Sequence, residues 1–221
     1  MNPSIRRFIV FNRLILAVAL LALGFLLGFK VSWWLGWLPM LIAVIFVAAH
    51  FLIGPLTLMQ GYMEAGDVEG IQKLLGRIKY PNLLYKPLRS QYYMLKGQMS
   101  MSGGGTDNLD EAEANLRKGL AAGLPEKEHE GSAYLQLGTI ALQKGNNKDA
   151  MEHLLKAVKL GLPDADSKAT ALLQLASLNV NRRQFKAAKM YFARAKACKA
   201  TNQQVVDQIK EMSGYMARIP G

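Results

Sequence analysis

Acidic residues are missing from the beginning of this 221-residue chain. All 16 Asp and Glu residues follow Gly54, whereas four of the 27 Lys and Arg residues precede it. This distribution separates an apolar, weakly basic segment from a charged remainder. We therefore expect a membrane segment followed by a soluble domain.

Cysteine and histidine are also scarce. The single cysteine, Cys198, excludes an internal disulfide and a metal site built from cysteines. His50 is the one histidine in the apolar segment. Because no second histidine accompanies it there, we interpret it as an interfacial residue, with a haem ligand or proton relay as the alternative. We predict no metal and no cofactor.

The apolar segment contains two runs without charge, Leu14–Phe29 and Val31–Leu56. A membrane-spanning helix needs about 20 residues, and flanking Arg and Lys side chains can extend outward to reach water. Three tryptophans near the start of the second run, close to the junction of the two runs, suit a membrane–water boundary; they are Trp33, Trp34 and Trp37. We predict a cytoplasmic segment over residues 1–13 and two transmembrane helices within 14–56, at about 8–30 and 33–56.

The orientation of these spans follows from their flanking charges. Arg6, Arg7 and Arg13 precede the first span, and Lys30 alone lies in the turn. Since positive residues stay cytoplasmic, we predict a multi-pass protein of the cell (inner) membrane, with the N-terminus and the soluble domain inside. A cleaved signal peptide is the alternative, but a second apolar run follows the first instead of a polar mature sequence.

Two glycines in the first span, Gly24 and Gly28, have the G-x-x-x-G spacing that allows helices to approach closely. We interpret this pair as packing of the first span against the second. Dimerisation of the chain is the alternative.

The soluble part contains an internal repeat. Ala112, Ala150 and Ala188 are separated by 38 residues each time. A large residue follows four positions later and a small residue three positions after that, so the three lie on one helix face. The positions are Leu116, Leu154 and Phe192, and then Gly119, Ala157 and Ala195. Such a period predicts a stacked helical array.

One unit of the array carries a more detailed pattern, formed by Tyr134, Leu137, Gly138, Ala150, Leu154 and Ala157. In this register the chain resembles the tetratricopeptide repeat family, whose usual period is about 34 residues. The resemblance covers residues 57–200, in units at about 58–84, 88–125, 130–163 and 168–200, followed by a capping helix over 201–221. The fold class is therefore predicted to be all-α, a two-span transmembrane hairpin followed by a helix-turn-helix solenoid.

The resemblance implies a non-enzymatic scaffold that binds other proteins along its inner surface. By analogy with the family, this groove is formed by the first helix of each unit. The residues are Gln91, Met94, Gln98, Met101, Leu135, Thr139, Leu142, Leu173, Ser177 and Val180. No Lys or Asn stands at these positions to clamp a terminal carboxylate, so an apolar peptide or helix is the expected partner. The alternative is that Leu135, Leu142 and Leu173 face the next repeat.

The remaining motifs give little support for catalysis. We see no Ser–His–Asp arrangement, and the "SGGGT" loop lacks the Gly-Lys-Ser/Thr of a phosphate-binding loop. We therefore predict that the protein is not an enzyme and holds partner proteins at the cytoplasmic membrane surface, with an accessory role in envelope assembly as one form of this function.

A basic run in the fourth unit carries the rival function. It contains Arg182, Arg183, Lys186 and Lys189, and it would make the protein a sensor of the membrane surface or of nucleic acid. We do not expect nucleic-acid binding, because the interleaved Phe185 and Phe192 occupy core positions of the repeat.

Overall fold

The computed structural model describes residues 12–30, 33–52, 61–62, 65–102 and 106–220. Several predicted features lie outside these residues. They are the segment before Asn12, the end of the second span beyond Leu52, the start of the first repeat and the centre of the "SGGGT" loop. The all-α prediction is confirmed, since the described residues form α-helices and no strand.

The helices are numbered here in chain order. They are α1 (Arg13–Lys30), α2 (Trp33–Leu52), α3 (Val68–Gly76), α4 (Lys86–Ser102), α5 (Thr106–Ala122), α6 (Lys127–Gln143), α7 (Asn147–Leu160), α8 (Ala165–Asn181), α9 (Phe185–Ala197) and α10 (Gln203–Met216), with a 3-10 turn at Pro81–Leu83. The chain divides into two compact units, Met1–Tyr92 and Tyr93–Gly221.

In the first compact unit, α1 and α2 form an antiparallel hairpin whose contact is made by small residues. A Cβ on Gly36 would lie 2.4 Å from the carbonyl oxygen of Gly24 and 2.9 Å from the Cα of Gly28. Ala17 and Ala43 are also buried in this unit. The predicted packing of the G-x-x-x-G pair against the second apolar helix is therefore present.

At the open end of the hairpin, the guanidinium of Arg13 donates to the carbonyl oxygen of Ala49 at 2.9 Å. By length and composition, α1 is the one described helix that could cross a membrane, and α2 contains a shorter apolar stretch, Gly36–His50. An apolar helix near the N-terminus fits a membrane anchor or a signal sequence.

The second compact unit is built from helix pairs that pack through the predicted repeat positions. Ala112, Ala150 and Ala188 are fully buried. So are the leucines four residues later in the first two of these helices, Leu116 and Leu154. A Cβ on Gly138 would lie 2.7 Å from the Cγ of Leu154. Small residues on one helix thus let a large side chain of its partner fill the space between them.

Side-chain caps and glycines fix where these helices begin and end. Asn146 accepts a hydrogen bond from the amide of Asp149, and Asp164 accepts one from the amide of Ser167, so each satisfies a free N–H of the first turn. Gly145 has a φ of 76° in the turn between α6 and α7, and Gly161 has a φ of 96° after α7. These left-handed positions suit glycine because it lacks a Cβ.

An ion-pair network joins the turn after α6 to α5. The Lys144 ammonium donates to the carboxylates of Asp110 and Glu113. These two hydrogen bonds raise the pKa of Lys144 above its ordinary value. Arg117 pairs with Glu113 at 2.6 Å on the same helix. The network links the second repeat of the predicted array to the third repeat.

Candidate partner-binding surface

The apolar residues of the predicted groove on α4 and α6 lie where successive repeats pack against each other. Met94 and Met101 are partly buried against a cluster that includes Leu137 and Ile140. Leu135 and Leu142 pack in the same manner against a cluster formed by α6, α7 and α8. These four side chains therefore contribute to the contact between successive repeats while keeping part of their surface exposed.

Polar residues of the predicted groove complete this contact or face water. The side-chain amide of Gln174, on α8, donates to the hydroxyl of Thr139, on α6, at 3.1 Å. Gln91 and Gln98 are exposed. Their role in partner binding stays a prediction, as does that of the other groove residues.

The predicted residues of α8 line a cleft that α10 closes on its other side. Leu173, Ser177 and Val180 line this open groove, which has a volume of about 510 Å³. The remaining lining residues are Gln174, Asn181, Gln208, Glu211, Met212, Tyr215 and Met216. We call this space the C-terminal cleft. Its lining combines apolar side chains and neutral amides with one carboxylate.

The helix pair that precedes this cleft, α6 and α7, is similar to a known repeat family. Residues 131–160 match the tetratricopeptide repeat family. The match falls on α6 and α7, the pair in which the residue pattern is most complete. Such repeats are typically non-catalytic and mediate protein–protein interactions. No curated protein and no solved structure matches the chain.

Sequence reasoning predicted a terminal helix after the repeats, but it missed how that helix is attached. Asp166, in the first turn of α8, accepts hydrogen bonds from the amides of Thr201 and Asn202 at 2.7 and 3.0 Å. It also accepts one from the Thr201 hydroxyl at 3.1 Å. These bonds, that to Asn202 above all, lower the pKa of Asp166.

The attachment of α10 is completed by buried apolar residues near its two ends. Val205 and Met216 belong to the same cluster as Leu173 and Phe192. The second wall of the C-terminal cleft is therefore held in place by both polar and apolar contacts.

The four predicted basic residues have different environments. Arg182, Arg183 and Lys186 are exposed, whereas Lys189 is partly buried and donates to the carbonyl oxygen of Ile219 at 3.0 Å. Arg183 has a φ of 57°, at the turn position that Gly145 occupies one repeat earlier. Lys189 thus holds the C-terminal tail, and Arg183 forms the turn between α8 and α9.

A second cleft, which sequence reasoning did not anticipate, lies near the loop between α7 and α8. It encloses about 570 Å³ and contains Lys168, Arg194 and Cys198. The Cys198 thiol donates to the carbonyl oxygen of Arg194 at 3.3 Å. Among the described residues, no three His, Cys, Asp or Glu side chains are grouped so as to hold a metal ion.

Proposed function

We propose that this protein is a membrane-anchored, non-enzymatic scaffold that holds an apolar segment of a partner protein in the C-terminal cleft. The observation that carries the proposal is the cleft itself, a space of about 510 Å³ lined by the predicted residues Leu173, Ser177 and Val180 on one side and by residues of α10 on the other. The tetratricopeptide match to the preceding helix pair supports a role in protein–protein interaction.

The chemistry of the cleft selects the kind of partner. Val180 and Met212 offer apolar contact, while Gln174 and Gln208 can each donate and accept hydrogen bonds. Glu211 is the one charged residue of the lining. A short helix with an apolar face fits this combination, because its apolar side chains would be buried and its neutral polar edge would meet the amides.

The hairpin of α1 and α2 supports the membrane anchor. Its small residues face inward, whereas large apolar side chains such as Val18, Leu26 and Val44 are exposed. This arrangement suits a lipid environment, where close approach of small residues stabilises helix pairs. In water, an exposed apolar surface of this kind would promote association.

The length of α2 supports two spans. Its 20 residues correspond to about 30 Å of helix, close to the thickness of the hydrocarbon core. Three arginines, Arg6, Arg7 and Arg13, precede or begin α1, whereas Lys30 alone ends it, and this balance supports a cytoplasmic position for both chain ends. The contact that Gly24 makes with Gly36 gives α1 a structural partner, which favours a retained span over a cleaved signal.

A photo-cross-linking experiment tests the partner-binding site. A photoreactive residue at Ser177, which is exposed within the C-terminal cleft, should cross-link full-length protein in membranes to a discrete partner. The same residue at Lys159, an exposed position on α7, should give no such product.

A charge placed in the cleft provides the matching loss-of-binding variant. Val180→Glu should abolish the cross-link from position 177, because burying a carboxylate against an apolar partner is costly. Lys159→Glu should leave the cross-link unchanged. A product that persists in the Val180→Glu protein, at unchanged helical circular dichroism, would show that the partner binds elsewhere.

A further inference from the structure

The segment Arg77–Arg89 exposes an unusual concentration of large apolar side chains. Tyr80 is 65% exposed, Leu83 51% and Tyr85 59%. These three lie within six residues. Among the described side chains from 108 to 220, four large apolar side chains are exposed, and all of them are less exposed than these three; they are Leu155, Met190, Val206 and Tyr215. Such crowding of exposed apolar groups marks an interaction site.

A defined turn holds these side chains outward. The amide of Leu83 donates to the carbonyl oxygen of Tyr80 at 3.1 Å, and that of Leu84 donates to the carbonyl oxygen of Pro81 at 3.2 Å. Leu84 is buried and fixes the inner side of the turn. Arg89 donates from its guanidinium to the carbonyl oxygen of Asn82 at 3.1 Å. The exposure therefore belongs to a built structure.

The charge around this turn has one sign. Arg77, Lys79, Lys86 and Arg89 lie within the segment, and no acidic residue occurs between Glu69 and Asp107. Lys79 and Lys86 flank the exposed side chains and are themselves exposed. A surface that combines tyrosine, leucine and lysine in this way matches the boundary between lipid headgroups and acyl chains.

We propose that the basic aromatic turn, Arg77–Arg89, lies on the headgroups of anionic lipids. Tyr80, Leu83 and Tyr85 enter the boundary region, and Lys79 and Lys86 bind lipid phosphates. The inference rests on the proposed anchor, because α2 ends only 25 residues before Arg77. Basic clusters that follow a span on the cytoplasmic side are attracted to anionic lipid. Side chains that project together from a single turn can enter a bilayer surface.

The test uses the full chain, with Cys198→Ser, reconstituted in vesicles. An environment-sensitive fluorophore is attached through Leu83→Cys, and in a separate protein through Leu155→Cys, an exposed position on α7. In phosphatidylglycerol-containing vesicles, lipids carrying a headgroup-level quencher should quench the label at 83 but not the label at 155. Quenching at 83 should fall in pure phosphatidylcholine and at 1 M salt, where the screening length is about 3 Å.

Charge removal supplies the matched comparison. Lys79→Gln with Lys86→Gln should lower the equilibrium constant for surface contact by about 30-fold, the product of two lysine contributions. Lys148→Gln with Lys159→Gln removes two exposed charges from α7 and should change nothing. Quenching that is equal in both double variants, or equal in charged and neutral vesicles, would overturn the proposal.

Alkaline carbonate extraction of the same vesicles tests the anchor separately. A chain that resists extraction but shows no quenching at residue 83 would overturn the lipid contact and leave the anchor standing. Release of the chain by carbonate would overturn the anchor and, with it, the placement of the turn beside a span.

Discussion

At the residue scale, glycines determine how closely the helices of the second compact unit approach one another. A Cβ on Gly131 would lie 1.9 Å from the carbonyl oxygen of Gly161, a contact that no real Cβ makes. The start of α6 therefore rests directly on the backbone at the end of α7. Gly214, near the end of α10, has open space at the same position.

These two glycines allow one substitution to be tested in opposite environments. Gly131→Ala should lower the free energy of unfolding by about 1–3 kcal/mol, because the backbone must move to admit a methyl group. Gly214→Ala should raise it by about 0.5–1 kcal/mol, because alanine loses less entropy than glycine in a helix. Chemical unfolding of the purified protein followed by circular dichroism measures both. Equal effects would contradict the packing at Gly131.

The repeat spacing predicted some of these contacts and not others. Ala150 and Gly138 were found because the tetratricopeptide pattern fixes small residues at those positions, and both are buried. Gly131 lies outside that pattern, and its contact depends on where α7 ends in space. Arg183 was read for its charge, although its left-handed backbone shows that it also serves as a turn residue.

At the scale of elements, the position of α10 depends on a carboxylate of another helix, α8. Asp166 binds the backbone just before α10 and helps to satisfy the free N–H groups there. A polar-faced terminal helix could be predicted from its sequence. The carboxylate that binds it could not, since Asp166 and Thr201 are 35 residues apart and their contact depends on the stacking of α8 and α9.

This attachment predicts a pH dependence. The pKa of Asp166 is lowered in the folded state, so its stabilisation is fully present above the ordinary value of 3.8 and is lost as the pH falls through the folded value. Asp166→Asn should lower the melting temperature at pH 7, because an amide has one acceptor oxygen where the carboxylate has two. The difference from the unmodified protein should shrink below about pH 4.

Thermal unfolding followed by circular dichroism from pH 7 to pH 2.5 measures this difference. The control is Asp207→Asn, because Asp207 is exposed and accepts a hydrogen bond from Gln203 within α10 itself. Its melting temperature at pH 7 should equal that of the unmodified protein. A difference for Asp166→Asn that persists undiminished at pH 2.5 would show that the carboxylate charge is not responsible.

At the scale of the whole molecule, the chain combines an apolar hairpin with a helical array that carries most of its charged residues. Composition predicts a boundary near Gly54, because no acid precedes that residue, whereas the two compact units of the structure divide between Tyr92 and Tyr93. The topology of the hairpin in a membrane depends on the insertion process as well as on the sequence. It stays a prediction that requires a direct measurement.

The proposed topology places the turn between α1 and α2 outside and the array inside. In a Cys198→Ser background, Lys30→Cys should react with a membrane-impermeant thiol reagent in intact cells. Gly214→Cys should react only after the cells are permeabilised. The opposite pattern of labelling would place the C-terminal cleft outside the cell and remove the basis for a cytoplasmic scaffold.

The attachment of α10 also determines how such a chain can lengthen during evolution. A duplicated 38-residue unit placed between α7 and α8 would meet neighbours of its own kind on both sides, because Ala150 and Ala188 occupy equivalent positions. The same unit placed after α9 would displace α10 and uncover Leu172 and Phe192, which share a buried cluster with Val205. Gene duplication can therefore extend this array from within, while its last helix pair remains the permanent end.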